Sequence, residues 1–82
     1  MIDLVDFLRA KRRIRPFIQH TPLIHSSHLS DLTGGEIWLK LENRQPTGSF
    51  KVRGALNKIS QLSEIEKAQG IVTASAGNHA LG

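Results

Sequence analysis

The sequence predicts an α/β chain, and three stretches carry that prediction. Residues 51–62 place Val52, Ala55, Leu56, Ile59 and Leu62 at the three-and-four spacing of an amphipathic helix. Residues 36–42 alternate instead, with Ile37, Leu39 and Leu41 on one face, which is strand periodicity. Residues 71–74, Ile-Val-Thr-Ala, read as a buried strand that runs into the small-residue turn Ser75-Ala76-Gly77-Asn78-His79. A strand passing through such a turn into a helix is where parallel α/β proteins place ligands.

Taken in order, Asp3 caps a first helix in which Leu4, Val5, Leu8 and Ile14 form an apolar stripe, and Pro16 ends it by pushing Arg15 out of the helical region. Residues 21–26 are extended, and a short helix follows that stops at Gly34-Gly35. In the strand at 36–42, Trp38, Lys40 and Glu42 share the face opposite the apolar one, so the strand is covered on one side only or lies beside a site. Residues 43–49 form a loop, and the helix at 51–62 carries Gly54, a cost of roughly 1 kcal/mol relative to alanine. Ser63 and Glu66 make a capping box for a second short helix that Gly70 terminates.

Composition narrows the class. Apolar residues make up 39% of the chain and charged ones 22%, a soluble globular balance without an apolar run long enough to span a bilayer. There is no cysteine, which excludes disulfides, thiolate metal sites and cysteine nucleophiles and makes a reducing cytosol the default compartment. Of the net charge of +4, the first 15 residues carry three units, through Arg9, Lys11, Arg12, Arg13 and Arg15 against Asp3 and Asp6. A basic turn with no interleaved aromatic residue is the usual solvated end of a helix; the rival reading is a small basic binding module. At 82 residues the chain can build only a modest core, and it stops in the helix that Gly77 and Asn78 have just opened. It therefore reads as the N-terminal piece of something longer.

The chemistry concentrates on Pro46-Thr47-Gly48-Ser49-Phe50-Lys51, where a lysine follows a turn-forming run and heads a helix. Positive partial charge at the helix start, with Arg53 nearby, suits a neutral nucleophilic amine of the kind that condenses with carbonyl compounds. An ordinary solvent-facing lysine is the plain alternative. Phe50 separates the glycine and serine from the lysine, so the stretch is not a P-loop. The turn at 75–79 offers consecutive backbone amides to one anion, either a carboxylate or a phosphate. His20, His25 and His28 lack the carboxylates that would complete a metal site, and none is expected; no G-x-S-x-G elbow surrounds Ser49 or Ser75.

Together these residues carry a resemblance. The run from Leu41-Glu42-Asn43 through Gly48-Ser49-Phe50-Lys51-Val52-Arg53-Gly54-Ala55 resembles the cofactor-lysine signature of the threonine and serine dehydratases. Ser75-Ala76-Gly77-Asn78-His79-Ala80 is similar to that family's second signature, and Arg13-Ile14-Arg15-Pro16 with Thr21-Pro22-Leu23 to its opening. The resemblance implies a piece of a fold-type II pyridoxal-phosphate enzyme, akin to the tryptophan synthase β chain, with residues 1–45 in the larger domain and 46–82 starting the smaller one.

It also implies roles. Lys51 matches the lysine that holds pyridoxal 5'-phosphate and moves the α-proton, Phe50 the residue beside the cofactor ring, and Asn78 the partner of the cofactor's phenolic oxygen. Ser75, Ala76, Gly77, Asn78 and His79 match the loop that holds the substrate carboxylate, with the cofactor phosphate expected beyond residue 82. The implied activity is deaminating β-elimination of threonine, and of serine, to a 2-oxo acid and ammonia. A homo-oligomeric cytoplasmic parent enzyme of isoleucine biosynthesis, without nucleic-acid or membrane partners, completes the expectation; the 82 residues alone should be inactive. Val52 favours the dehydratases over threonine and cysteine synthases. Ala76 stands where serine racemases have a serine acid and base, and Leu81 departs from the glutamine of many relatives.

Overall fold

The computed structural model describes residues 1–77 and 81. Helix α1 (Leu4–Ile14) begins at Asp3, whose carboxylate accepts the Asp6 amide at 3.0 Å while the Asp6 carboxylate accepts the Asp3 amide at 2.8 Å. The exchange satisfies amides that a helix start leaves open. Lys11, Arg12 and Arg13 occupy its last turn, where the carbonyl end of the helix attracts cations.

Strand β1 (Leu23–His25), helix α2 (Ser27–Thr33) and strand β2 (Trp38–Lys40) form one unit. The strands pair antiparallel, with Leu23 opposite Lys40, Ile24 opposite Leu39 and His25 opposite Trp38. Ser26 caps α2 by accepting the Leu29 amide at 3.2 Å, and Gly34 ends it in the left-handed region at φ 76°. β2 is shorter than the expected 36–42, because its partner β1 offers three residues to pair with. Bonds from Ser26 N to Ile37 O (2.9 Å) and from Leu41 N to Pro22 O (3.1 Å) nevertheless prolong the ladder on both sides. Ile37, Leu39 and Leu41 are half-buried and Trp38 and Lys40 exposed, as one-sided cover requires. Trp38 packs against the His25 ring edge to face, at 5.1 Å and 70°.

A 3-10 turn over Glu42–Arg44 redirects the chain toward α3 (Lys51–Ile59), and α4 (Glu64–Gln69) follows. α3 stops short of the expected residue 62, because Gln61 and Leu62 donate to Lys58 and Ile59 three residues back and so tighten the chain out of α geometry. The α4 capping box forms as expected, with Ser63 Oγ accepting the Glu66 amide at 3.1 Å and Glu66 accepting the Ser63 amide at 3.0 Å. The Ser63 backbone bond, ahead of its hydroxyl, holds the Glu66 carboxyl below the usual range.

The expected buried strand at 71–74 is not formed: these residues carry no strand and are exposed, Val72 at 98%. A strand of that kind needs neighbours to take its amides and carbonyls, and among the described residues β1 and β2 pair only with each other. The α1 stripe is likewise mostly uncovered. Ile14 is buried, as is Val52 on α3, whereas Leu4, Phe7 and Leu8 are exposed. Arg13 ties the two helices by donating to Asn57 Oδ1 at 3.0 Å.

The Cα radius of gyration is 16.1 Å, against about 12 Å for a compact domain of this length. The accessible surface is 6702 Å², against roughly 4,900 Å². Among the described residues the most buried side chains are therefore as much polar as apolar: Thr21 and Gln45 beside Ile14 and Val52.

Candidate active site

Lys51 is the first residue of α3, so helix formation and lysine placement are one event. The loop that delivers it is a four-residue turn closed by Gly48 N donating to Gln45 O at 2.8 Å, with Pro46 at the second position and Gly48 at the fourth, the places each favours. Gly48 has φ 81°, a conformation that side chains with Cβ resist. Ser49 Oγ then accepts the Lys51 amide at 3.4 Å, a weak cap on the helix. Lys51 is half-buried and Phe50, which precedes the helix, is exposed.

Beneath this loop lies a polar cluster absent from the sequence reading. Gln45 is buried, and its side-chain amide pairs with the backbone of residue 19 in both directions: Oε1 accepts Gln19 N and Nε2 donates to Gln19 O, each at 2.9 Å. The same Nε2 donates to Glu42 Oε2 at 2.8 Å. Glu42 Oε1 accepts Arg53 Nε at 3.0 Å, Arg53 Nη2 at 2.7 Å and Thr21 Oγ1 at 3.1 Å. The Arg53 hydrogen bonds are the largest of the influences that hold the Glu42 carboxyl below its ordinary value; burial opposes them, and Gln45 and Thr21 add to them. Arg53 is thus bound to a carboxylate rather than left as a free charge beside Lys51, which changes the part expected for it. Lys40 Nζ donates to the Thr21 carbonyl, fixing the strand side of the cluster.

The second predicted element lies partly outside the described residues: Asn78 and His79 are not among them. Of the rest, Ser75 Oγ accepts the Gly77 amide at 3.0 Å and donates to Gly77 O at 3.2 Å, a tight local turn that uses the Gly77 amide internally. Ser75, Ala76 and Gly77 are exposed, and among the described residues no hydrogen bond joins them to the Lys51 loop. His25 is engaged by Ser30 Oγ at 3.2 Å and by Trp38. Lys11, Arg15, His20 and Arg53 line a shallow pocket with Ile18, while Arg13 is committed to Asn57.

One observation tests whether a cofactor suits these residues. Thr47 Oγ1 is buried and has no hydrogen-bond partner among the described residues, an orphan polar group in the loop that carries the candidate amine. Orphans of this kind are few in folded proteins, and a water, an ion or a ligand can answer them. A turn with backbone exposed at Gly48, an unpartnered hydroxyl and an amine heading a helix fit a carbonyl cofactor bearing polar substituents.

Comparison with known proteins agrees. The chain belongs to the pyridoxal-phosphate dependent enzymes, matching that family over residues 14–82. Over its whole length it is 57% identical to the L-threonine ammonia-lyase of Thermotoga maritima, covering 20% of that protein. It is 58% identical to the catabolic L-threonine dehydratase TdcB of Staphylococcus aureus, again over the whole chain and 24% of the relative. Among solved structures, maize serine racemase superposes with a TM-score of 0.84 at 37% identity, over 95% of this chain and 24% of the other. The T.th. threonine deaminase gives 0.77 at 40% identity, over 98% and 28%. The fold is accordingly part of the fold-type II architecture, and the chain spans about a quarter or less of the length of the curated relatives it matches.

Proposed function

We propose that this chain is part of a pyridoxal-phosphate-dependent threonine ammonia-lyase that also accepts serine. The identity of 57–58% along the entire chain to proteins named for that reaction carries the reading. When bound, the cofactor supplies an electron sink for the charge that develops at the substrate Cα. Lys51 Nζ holds the cofactor and takes the α-proton of the amino acid; its place at the head of α3 supports that role. Phe50 flanks the cofactor ring and Asn78 meets its phenolic oxygen. The backbone amides of Ser75, Ala76, Gly77, Asn78 and His79 orient the substrate through its carboxylate, which aligns the Cα–H bond with the base. For that, Gly77 exchanges its bond to Ser75 Oγ for one to the ligand. The β-hydroxyl leaves with a proton as water, and the enamine that is released tautomerises and is hydrolysed by water to the 2-oxo acid and ammonia.

We assign residues 1–45 to the larger domain and 46–82 to the start of the smaller one, in a homo-oligomeric cytoplasmic enzyme; the 82 residues alone lack the activity. Among the described residues no helix is long and apolar enough to cross a membrane. The Staphylococcus aureus relative is named as catabolic, so placement in isoleucine biosynthesis is carried by the resemblance alone.

Serine racemase is the second reading, favoured by the higher TM-score of the maize enzyme. Ala76 weighs against it, because a methyl group cannot return a proton to the second face of Cα. The full-length protein carrying this chain, supplied with cofactor, should release a 2-oxo acid and ammonia from L-threonine and L-serine. Lys51→Ala should lower that rate by roughly a thousandfold, the scale of losing a positioned base. Formation of D-serine as the main product, or undiminished activity in Lys51→Ala, would overturn the assignment.

A further inference from the structure

We infer that Glu42 is a positioning residue for Lys51, one carboxylate that secures both ends of the lysine-bearing loop. The inference rests on the reading of Lys51 as the cofactor-holding amine. A lysine side chain has four rotatable carbons, so the accuracy with which its amine is presented depends on where its backbone is held. Two anchors flank that backbone, Gln45 six residues before Lys51 and Arg53 two residues after it, and Glu42 binds both.

The division of labour between the two oxygens makes this a staple rather than an isolated ion pair. Oε2 takes Gln45 Nε2 at 2.8 Å, on the side where the chain enters the turn. Oε1 takes Arg53 Nε and Nη2 at 3.0 and 2.7 Å, on the side where the helix begins. Thr21 Oγ1, at 3.1 Å, joins the carboxylate to the segment before β1, and Gln45 joins the same segment through residue 19. Thr21 and Gln45 are among the most buried side chains described, so water does not compete strongly for these bonds. With Glu42 removed, Arg53 and Gln45 have no common partner, and the turn at 45–48 can shift relative to α3. Glutamine at 42 keeps the shape, removes the charge and turns one of the two accepting oxygens into a donor nitrogen, so it cannot hold both anchors.

Two measurements on the full-length protein test this, with Glu42→Gln and Arg53→Gln as variants. Hydrogen exchange of the cofactor-free protein reports the loop directly. Capture of Lys51, by incubation with a subsaturating amount of pyridoxal 5'-phosphate, borohydride reduction and peptide mass analysis, reports how the amine is presented. In Glu42→Gln, amides across 47–53 should exchange about tenfold faster and the captured fraction should fall about tenfold, the scale of one charge-assisted hydrogen bond, while β1 and β2 amides keep their rates. Arg53→Gln should shift both in the same direction by less. Unchanged exchange across 47–53, unchanged capture, or a rise in exchange throughout both variants would overturn the inference. If Glu42→Gln does not fold, Arg53→Gln decides by the same criteria. If the wild-type protein captures no cofactor, the functional reading has failed, and the exchange pattern still decides whether Glu42 holds the loop.

Discussion

Gly48→Ala isolates the backbone requirement of the lysine loop. Gly48 has φ 81°, and a Cβ built there meets no atom within 4 Å, so the substitution changes conformational preference without introducing a clash. A left-handed residue with a Cβ costs roughly 1–2 kcal/mol, and alanine returns up to about 1 kcal/mol by restricting the unfolded chain. The middle of each range, about 1.5 against about 0.7 kcal/mol, leaves a net loss of about 0.8 kcal/mol, roughly a fourfold shift in the folding equilibrium. Gly48→Asn should lose less, since asparagine visits the left-handed region more readily. Urea unfolding of the full-length protein, with both variants beside wild type, gives the comparison. An alanine variant as stable as wild type, or an asparagine variant that loses as much as alanine, would refute the positive φ. A loss beyond about 3 kcal/mol would refute the open space around Cβ.

Two further outcomes are expected. Glu42 has its folded-state value lowered beneath the ordinary 4.5, so the stability it contributes is fully present above that value and is lost as pH falls through the lower folded value. Urea midpoints taken between about pH 6 and about pH 3 should therefore fall more steeply in wild type than in Arg53→Gln, and parallel slopes would contradict the linkage. Val52→Ala removes two methyl groups from a buried side chain of α3 and should cost about 1.6 kcal/mol from transfer alone, with more for any cavity left behind; the same unfolding assay reads it.

The legible parts of the fold were those written in local pattern. The Asp3 and Ser63 caps, the stop at Gly34, the alternation through Leu39 and the start of a helix at Lys51 all depend on residues a few positions apart. The strand expected at 71–74 did not form, because a buried strand is defined by neighbours that no local pattern supplies. Within the site, Lys51 and its loop could be read from the sequence, whereas the cluster beneath could not. Glu42 and Arg53 are eleven positions apart and Gln19 and Gln45 twenty-six, and nothing in the intervening composition pairs them. The alternation did place Glu42 on the face opposite Leu39 and Leu41, a hint that the strand bordered a site. Arg53 was expected to act on Lys51 by its charge, and its side chain instead answers Glu42.

The pairing of Gln45 with residue 19 distributes mutational freedom unevenly. Position 19 takes part through its main-chain N–H and carbonyl alone, so its side chain is answerable to nothing in this cluster. Position 45 must present an acceptor and a two-proton donor on one planar group at a fixed reach, a demand that asparagine meets too early along the chain and glutamate meets only in half. The side chain at 19 can change without disturbing these bonds whereas the glutamine facing it cannot, so a requirement of the lysine loop is carried at a position six residues ahead of Lys51.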